Sequence, residues 1–178
     1  VTANNRIFVV EEYLTPQQCD TVQSHVEQNI NRSFDRSTWK PNLGVNGDVG
    51  KYRSFLICEE VAPDIWSDVF AGREINELPL DTVVVNIYQQ GDFIPPHRDK
   101  QASIYTVTVP LQTSEDRLIF SEHAEDFYNE NNSDINAVTC KDVRGRGYGF
   151  YGNSPLHWVP KVTNDLRVSL ICLYGAST

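Results

Sequence analysis

The spacing of apolar positions changes along the chain near residue 80. In the first part, Cys19, Val22, Val26 and Ile30 recur three or four apart, the repeat that lines one side of an α-helix. Thr15 precedes Pro16, with Gln18 at the third helical position, so a capping box with proline at N1 starts this helix, which ends near Asn31. The β-branched residues 7–10 form a short strand before it. Pro63, then Ile65, Trp66, Val69 and Phe70 with Gly72 just beyond, predict a second short helix over residues 62–70.

From Asp81 onward the period falls to two. Strands are expected over residues 82–88, 104–111, 117–121, 137–143, 148–151 and 166–174, separated by turn residues and without helical stretches between them. Many short strands of this kind imply an antiparallel sandwich or barrel with the earlier helices packed on one outer face.

Length and charge narrow the class. A chain of 178 residues suits one domain with a real core, and its formal charge of 15 − 24 = −9 works against affinity built on neutralising phosphates. No apolar run approaches the roughly 18 residues a membrane span requires. Cys19, Cys58, Cys140 and Cys172 form no C-x-x-C pair, so they read as small buried hydrophobes rather than zinc ligands or a disulfide framework. The chain starts at Val1 with no signal-like segment, so the start looks trimmed, and a cytoplasmic setting is the expectation. Asn31-Arg32-Ser33 and Asn131-Asn132-Ser133 match the glycosylation pattern, which arises easily by chance.

Candidate chemistry centres on His97-Arg98-Asp99. In extended backbone, residues two apart project to one side, so His97 and Asp99 can grip one metal ion. His157, at the end of the Gly-rich stretch 145–152, lies in another strand and can supply a third ligand. Two His and one carboxylate are the set used by non-heme Fe(II) oxygenases, with zinc as the competing occupant. Arg167 stands inside the apolar run 166–174, where a guanidinium is costly without an anion. Ser169 shares its face, so the two can bind a carboxylate together; the alternative is an internal salt bridge to an Asp or Glu, and a guanidinium neutralised in that way would count against an oxygenase.

Residues 86–99, Asn-Ile-Tyr-Gln-Gln-Gly-Asp-Phe-Ile-Pro-Pro-His-Arg-Asp, resemble the N-x-Y-x-x-G-x-x-I-x-x-H-x-D signature of Fe(II)/2-oxoglutarate-dependent dioxygenases, most closely the AlkB-like subgroup. With His157 and Arg167 the resemblance covers residues 81–174. It implies a mostly β, α+β fold with a double-stranded β-helix (jelly-roll) core over 81–178, and a helical buttress and candidate substrate lid over 1–80 of a single domain. It also implies Fe(II) held by His97, Asp99 and His157, with Arg167 on the far carboxylate of 2-oxoglutarate. Asn86 and Tyr88 would hydrogen-bond that co-substrate, beside Ser169. The implied reaction consumes O2 and 2-oxoglutarate, releases succinate and CO2, and hydroxylates a C–H bond. Asp99 is present where halogenating relatives lack the carboxylate.

The sequence departs from AlkB-like demethylases at R-x-N-x-x-x-R: Ser169 and Leu173 stand where Asn and a second Arg are expected. The R-x-S form is similar to oxygenases of small molecules, so a small-molecule or peptidyl substrate leads, with oxidative demethylation of alkylated nucleobases as the alternative and a non-catalytic cupin-like module as a third. Residues 32–53 carry five basic residues among Phe34, Trp39 and Tyr52, a candidate lid or a solvated loop. Residues 121–136 carry five acids and no Lys or Arg, and would repel a phosphodiester; His123 there reads as a surface histidine and Trp158 as a core aromatic.

Overall fold

The structure, a computed structural model, describes residues 7–37, 49–99, 103–121, 137–151 and 155–175. Twelve strands are present among them, joined by one long helix and a short one. In chain order these are β1 (Ile7–Val10), α1 (Pro16–Asn29), β2 (Phe34–Asp35), β3 (Arg53–Ile57), α2 (Pro63–Ile65), β4 (Glu74–Ile75), β5 (Leu78–Gln89) and β6 (Ile94–His97). There follow β7 (Tyr105–Pro110), β8 (Arg117–Phe120), β9 (Val138–Lys141), β10 (Gly147–Tyr151), β11 (His157–Val159) and β12 (Leu166–Tyr174).

Helix α1 begins as its sequence dictates. The Thr15 hydroxyl accepts from Gln18 N at 3.2 Å and the Gln18 side chain accepts from Thr15 N at 3.0 Å. Such a reciprocal cap stabilises a helix start by about 1 kcal/mol. Cys19, Val22 and Val26 are buried, as the helical stripe requires, and Ile30 packs partly buried in a closing 3-10 turn, Ile30–Arg32. Helix α2 continues into a wider π turn, Trp66–Phe70, and Gly72 beyond it takes a φ of +75°.

Two antiparallel sheets face each other as a jelly roll. The larger has the order β1-β10-β7-β12-β5-β3-β2, with β4 paired to β5; the smaller has β6-β11-β8-β9. Period-two alternation divides every long strand of the larger sheet between two environments. Val83, Val85 and Ile87 of β5, Val107 and Val109 of β7, and Val168, Leu170 and Cys172 of β12 face α1 and α2 in one core. Their alternates, among them Asn86, Tyr88, Thr106, Thr108, Arg167 and Ser169, face the smaller sheet and line a cavity. Tyr88, Ile94, Leu118, Phe120 and Phe150 belong to the second core there, between the sheets.

Several strands differ from their expected bounds. β5 runs four residues earlier and one later than 82–88, while β12 spans the expected 166–174. β3 was not expected: its Arg53 and Ser54 interrupt the apolar run, and only pairing with β5 makes it a strand. β6 contains Pro95 and Pro96, which lack the N–H a central strand needs; it lies at the edge of its sheet, where proline is tolerated.

The turn before β10 depends on Gly145. It has a φ of +79°, its carbonyl accepts from Tyr13 N and Leu14 N at 2.9 and 3.1 Å, and an added Cβ would meet Leu14 O at 2.5 Å. No other residue type fits that approach.

Candidate metal centre and co-substrate cavity

β6 and β11 are antiparallel neighbours whose register sets His97 opposite His157. Asp99 follows His97 by two residues, so its carboxylate returns to the same side. One ligand atom each from His97, Asp99 and His157 lie within 4.8 Å of one another. His97 Nε2 is 3.3 Å from Asp99 Oδ1 and His157 Nε2 is 3.5 Å from Asp99 Oδ2.

Both imidazoles are oriented by the same local device. His97 Nδ1 donates to the carbonyl of Pro95 and His157 Nδ1 to that of Pro155, each at 2.8 Å. A carbonyl only accepts, so in the neutral ring the proton is on Nδ1 and the Nε2 lone pair points at the cluster. A metal ligand needs that arrangement. The signal was legible as Pro-x-His at both positions, and it is the residues around the ligands, rather than the ligands, that went unread.

The electrostatics of the cluster are those of two rings sharing one carboxylate. Burial disfavours a charged His157 and, with His97 beside it, lowers its pKa to about 4, although Asp99 pulls the other way. Burial acts likewise on His97, but the Asp99 carboxylate overrides it and raises that ring above the usual imidazole value. Burial would raise Asp99, yet the two imidazoles hold its carboxyl at about 2. The site therefore keeps a carboxylate and at least one neutral imidazole across ordinary pH.

The cluster opens into a cavity of about 270 Å³. Ile94, Leu118, Phe150 and Val159 give it apolar walls, and Asn86, Tyr88, Arg167 and Ser169 line it from the larger sheet. These four form two cross-strand pairs, Arg167 opposite Tyr88 and Ser169 opposite Asn86. The Tyr88 ring has the Arg167 guanidinium 5.1 Å from its centroid and the Tyr52 ring stacked at 5.6 Å on it. Arg36 and Tyr52 bring part of the basic-plus-aromatic region into this cavity, while Trp39, Lys40 and Asp48 lie outside the described residues.

Arg167 is not the guanidinium without a protein anion that was expected. Asp142 pairs with it through two hydrogen bonds, Nε to Oδ2 at 2.8 Å and Nη2 to Oδ1 at 2.9 Å, and both residues are buried. The salt-bridge alternative thus holds, which counts against the oxygenase reading; the pairing uses one edge of the fork and leaves Nη1 outside it. The physical reason is desolvation: a cation at 1% exposure needs a carboxylate whether or not a ligand is bound. The remaining nitrogen, Nη1, and the Ser169 hydroxyl are buried without hydrogen-bond partners among the described residues. Two orphaned donors in one cavity wall are unusual, because each such group costs free energy unless something accepts from it. They fit a small acceptor ligand, and the set of two histidines and one carboxylate fits a divalent metal with open positions.

Asp142 was missed as a site residue. It falls at the end of an expected strand, 25 positions from Arg167, and nothing local distinguishes it from a surface aspartate. Trp158 packs with Ile119 and Leu156, on the opposite face of β11 from His157, as a core aromatic. The acidic stretch beyond Ser121, with His123 and Asn131, lies outside the described residues.

A comparison with protein-family models finds no match, and none is found among curated proteins. Solved structures do match. A prolyl-4-hydroxylase of Pseudomonas putida is 14% identical, with 95% of this chain and 92% of that chain covered at a TM-score of 0.60. A prolyl hydroxylase of Trichoplax adhaerens, solved with a hypoxia-inducible-factor peptide, is 13% identical, with coverages of 97% and 84% and a TM-score of 0.65. SnoN, a non-heme alpha-ketoglutarate-dependent epimerase from nogalamycin biosynthesis, is 12% identical, with coverages of 97% and 77% and a TM-score of 0.68. The chain therefore has the jelly-roll fold found in prolyl hydroxylases and in an alpha-ketoglutarate-dependent epimerase, the architecture expected of it.

Proposed function

We propose that this protein is an Fe(II)- and 2-oxoglutarate-dependent dioxygenase that hydroxylates a C–H bond of a small molecule or an amino-acid side chain. The observation that carries this reading is the pairing of two features in one cavity: the His97, Asp99 and His157 cluster, and the orphaned donors Arg167 Nη1 and Ser169 Oγ. A zinc site of the same ligands has no need of the second feature.

His97, Asp99 and His157 would hold the metal, with the Pro95 and Pro155 carbonyls keeping both rings in the ligating tautomer. Arg167 and Ser169 would bind the far carboxylate of 2-oxoglutarate. Asn86 and Tyr88 would contact the co-substrate from the next strand, and the apolar walls would exclude water from it. With Fe(II), 2-oxoglutarate and O2 bound, the site supplies an oxidant that hydroxylates carbon while the co-substrate leaves as succinate and CO2.

The test is anaerobic titration of the Fe(II)-loaded protein with 2-oxoglutarate. A weak visible charge-transfer band is expected; Fe(II) binding with no such band at any co-substrate concentration refutes the proposal. A panel of small molecules and peptides, read by succinate formation, then identifies the substrate class. The net charge of −9 disfavours a phosphodiester, so AlkB-like demethylation ranks second, with formaldehyde release from methylated oligonucleotides as its signature. Binding of metal and organic acid without turnover on any substrate would instead mark a cupin-like module. No helix among the described residues is long and apolar enough to cross a membrane.

A further inference from the structure

The Arg167–Asp142 pair is built into the cavity wall. Asp142 Oδ2, which accepts from Arg167 Nε, also accepts from Gln112 Nε2 at 2.7 Å and Ser114 Oγ at 3.3 Å. Gln112 Oε1 in turn accepts from Val168 N at 2.8 Å, next to Arg167 itself. With this support the carboxylate cannot swing away when a ligand arrives, and the buried pair carries no net charge. Arg167 and Ser169 line the cavity end, where Nη1 and the Ser169 hydroxyl are left without partners among the described residues, beside a fixed negative charge.

We propose that Asp142 makes the far end of the cavity a hydrogen-bonding subsite rather than a charge-selecting one, so that it accepts 2-oxo acids with a neutral carbonyl tail nearly as well as those with a carboxylate tail. This rests on the co-substrate reading given above. A tail carboxylate meets the guanidinium and, one guanidinium width further on, the like charge of Asp142. In a buried site both act strongly, and the repulsion offsets much of the attraction. Hydrogen bonds from Nη1 and Ser169 are short-ranged and are made to an amide oxygen as well, though more weakly than to a carboxylate. Arg36 also lines the cavity, but it is half-exposed, and solvent screens it.

Two stable probes differ only in this tail: N-oxalylglycine, which is 2-oxoglutarate with one methylene replaced by NH, and its primary amide, N-oxalylglycinamide. Their dissociation constants are measured by calorimetry on the Mn(II)-loaded protein. In the wild type the amide binds within about tenfold of the acid; a larger preference for the acid overturns the proposal. In Asp142→Asn the guanidinium is an uncompensated cation that only the acid can neutralise, so the preference for the acid grows by at least about tenfold. A proportional loss of both probes would mean that Asp142 is merely structural, and an unchanged ratio would overturn the proposal in the same way. The wild-type ratio stands as a test even if the variant fails to fold. Failure of both probes to bind the wild type would instead refute the co-substrate reading, and the proposal with it.

Discussion

His97 and His157 face each other across β6 and β11 with ring centroids 4.3 Å apart, each ring tied to the carbonyl of a proline two residues before it. Two strands from distant parts of the chain thus present two Nε2 lone pairs to one carboxylate. Without a metal the rings are coupled through Asp99; with one they would be ligands of the same ion.

That coupling makes the three residues act as a unit. His97→Ala, Asp99→Ala and His157→Ala should each lower divalent-metal affinity by more than about 100-fold, beyond what loss of an outer-shell partner causes. Calorimetric titration with Fe(II) or Mn(II) checks this, and full affinity in all three variants would remove the metal site.

Stability and binding should move in opposite directions at Ser169. Its hydroxyl is buried without a partner among the described residues, so Ser169→Ala removes a desolvated group and should raise stability by about 1 kcal/mol, roughly 2–4 °C in Tm. The same change removes a donor to a charged ligand and should weaken 2-oxoglutarate binding about tenfold. Arg167→Ala, by contrast, leaves Asp142 unpaired and should cost roughly 3–5 kcal/mol of stability as well as the co-substrate. Thermal melts and calorimetry on the two variants separate these outcomes.

Gly145→Ala should destabilise the fold by roughly 2–5 kcal/mol, the sum of a left-handed backbone penalty and a clash with Leu14 O. Gly72→Ala is the control: its φ is +75°, but an added Cβ meets nothing within 4 Å, so about 1–2 kcal/mol is expected. Chemical denaturation of both proteins measures the difference.

The three buried cysteines, Cys19, Cys140 and Cys172, should be inert in the folded protein. Burial pushes the Cys140 and Cys172 thiols up to about 12 and raises Cys19 as well. These groups stay protonated when native but ionise when unfolded, so their contribution is complete below the ordinary thiol pKa and is lost as pH rises from there toward about 12. Iodoacetamide at pH near 8 should label the partly exposed Cys58 first, and the other three only on unfolding; rapid native labelling of Cys140 or Cys172 would contradict the burial.

Much of the site was legible because its signals are local. His97 and Asp99 share a side by strand periodicity, Asn86 with Tyr88 and Arg167 with Ser169 do the same, and β5 and β12 bring those two pairs into register. The Thr15 cap and the helical stripe after it were equally local. Asp142 and β3 were not legible, since each acquires its role from a partner far along the chain: Arg167 and β5.

Amino-acid order alone determined which faces of which strands are apolar, where α1 begins, and that His97 and Asp99 share a side, because alternation and capping depend on neighbours within four residues. Only the tertiary structure decided that Arg167 gives two hydrogen bonds to Asp142 and keeps Nη1 without a partner among the described residues. A buried charge takes its counterion from whatever the folded sheet places within reach, and sheet pairing across 25 residues has no local trace.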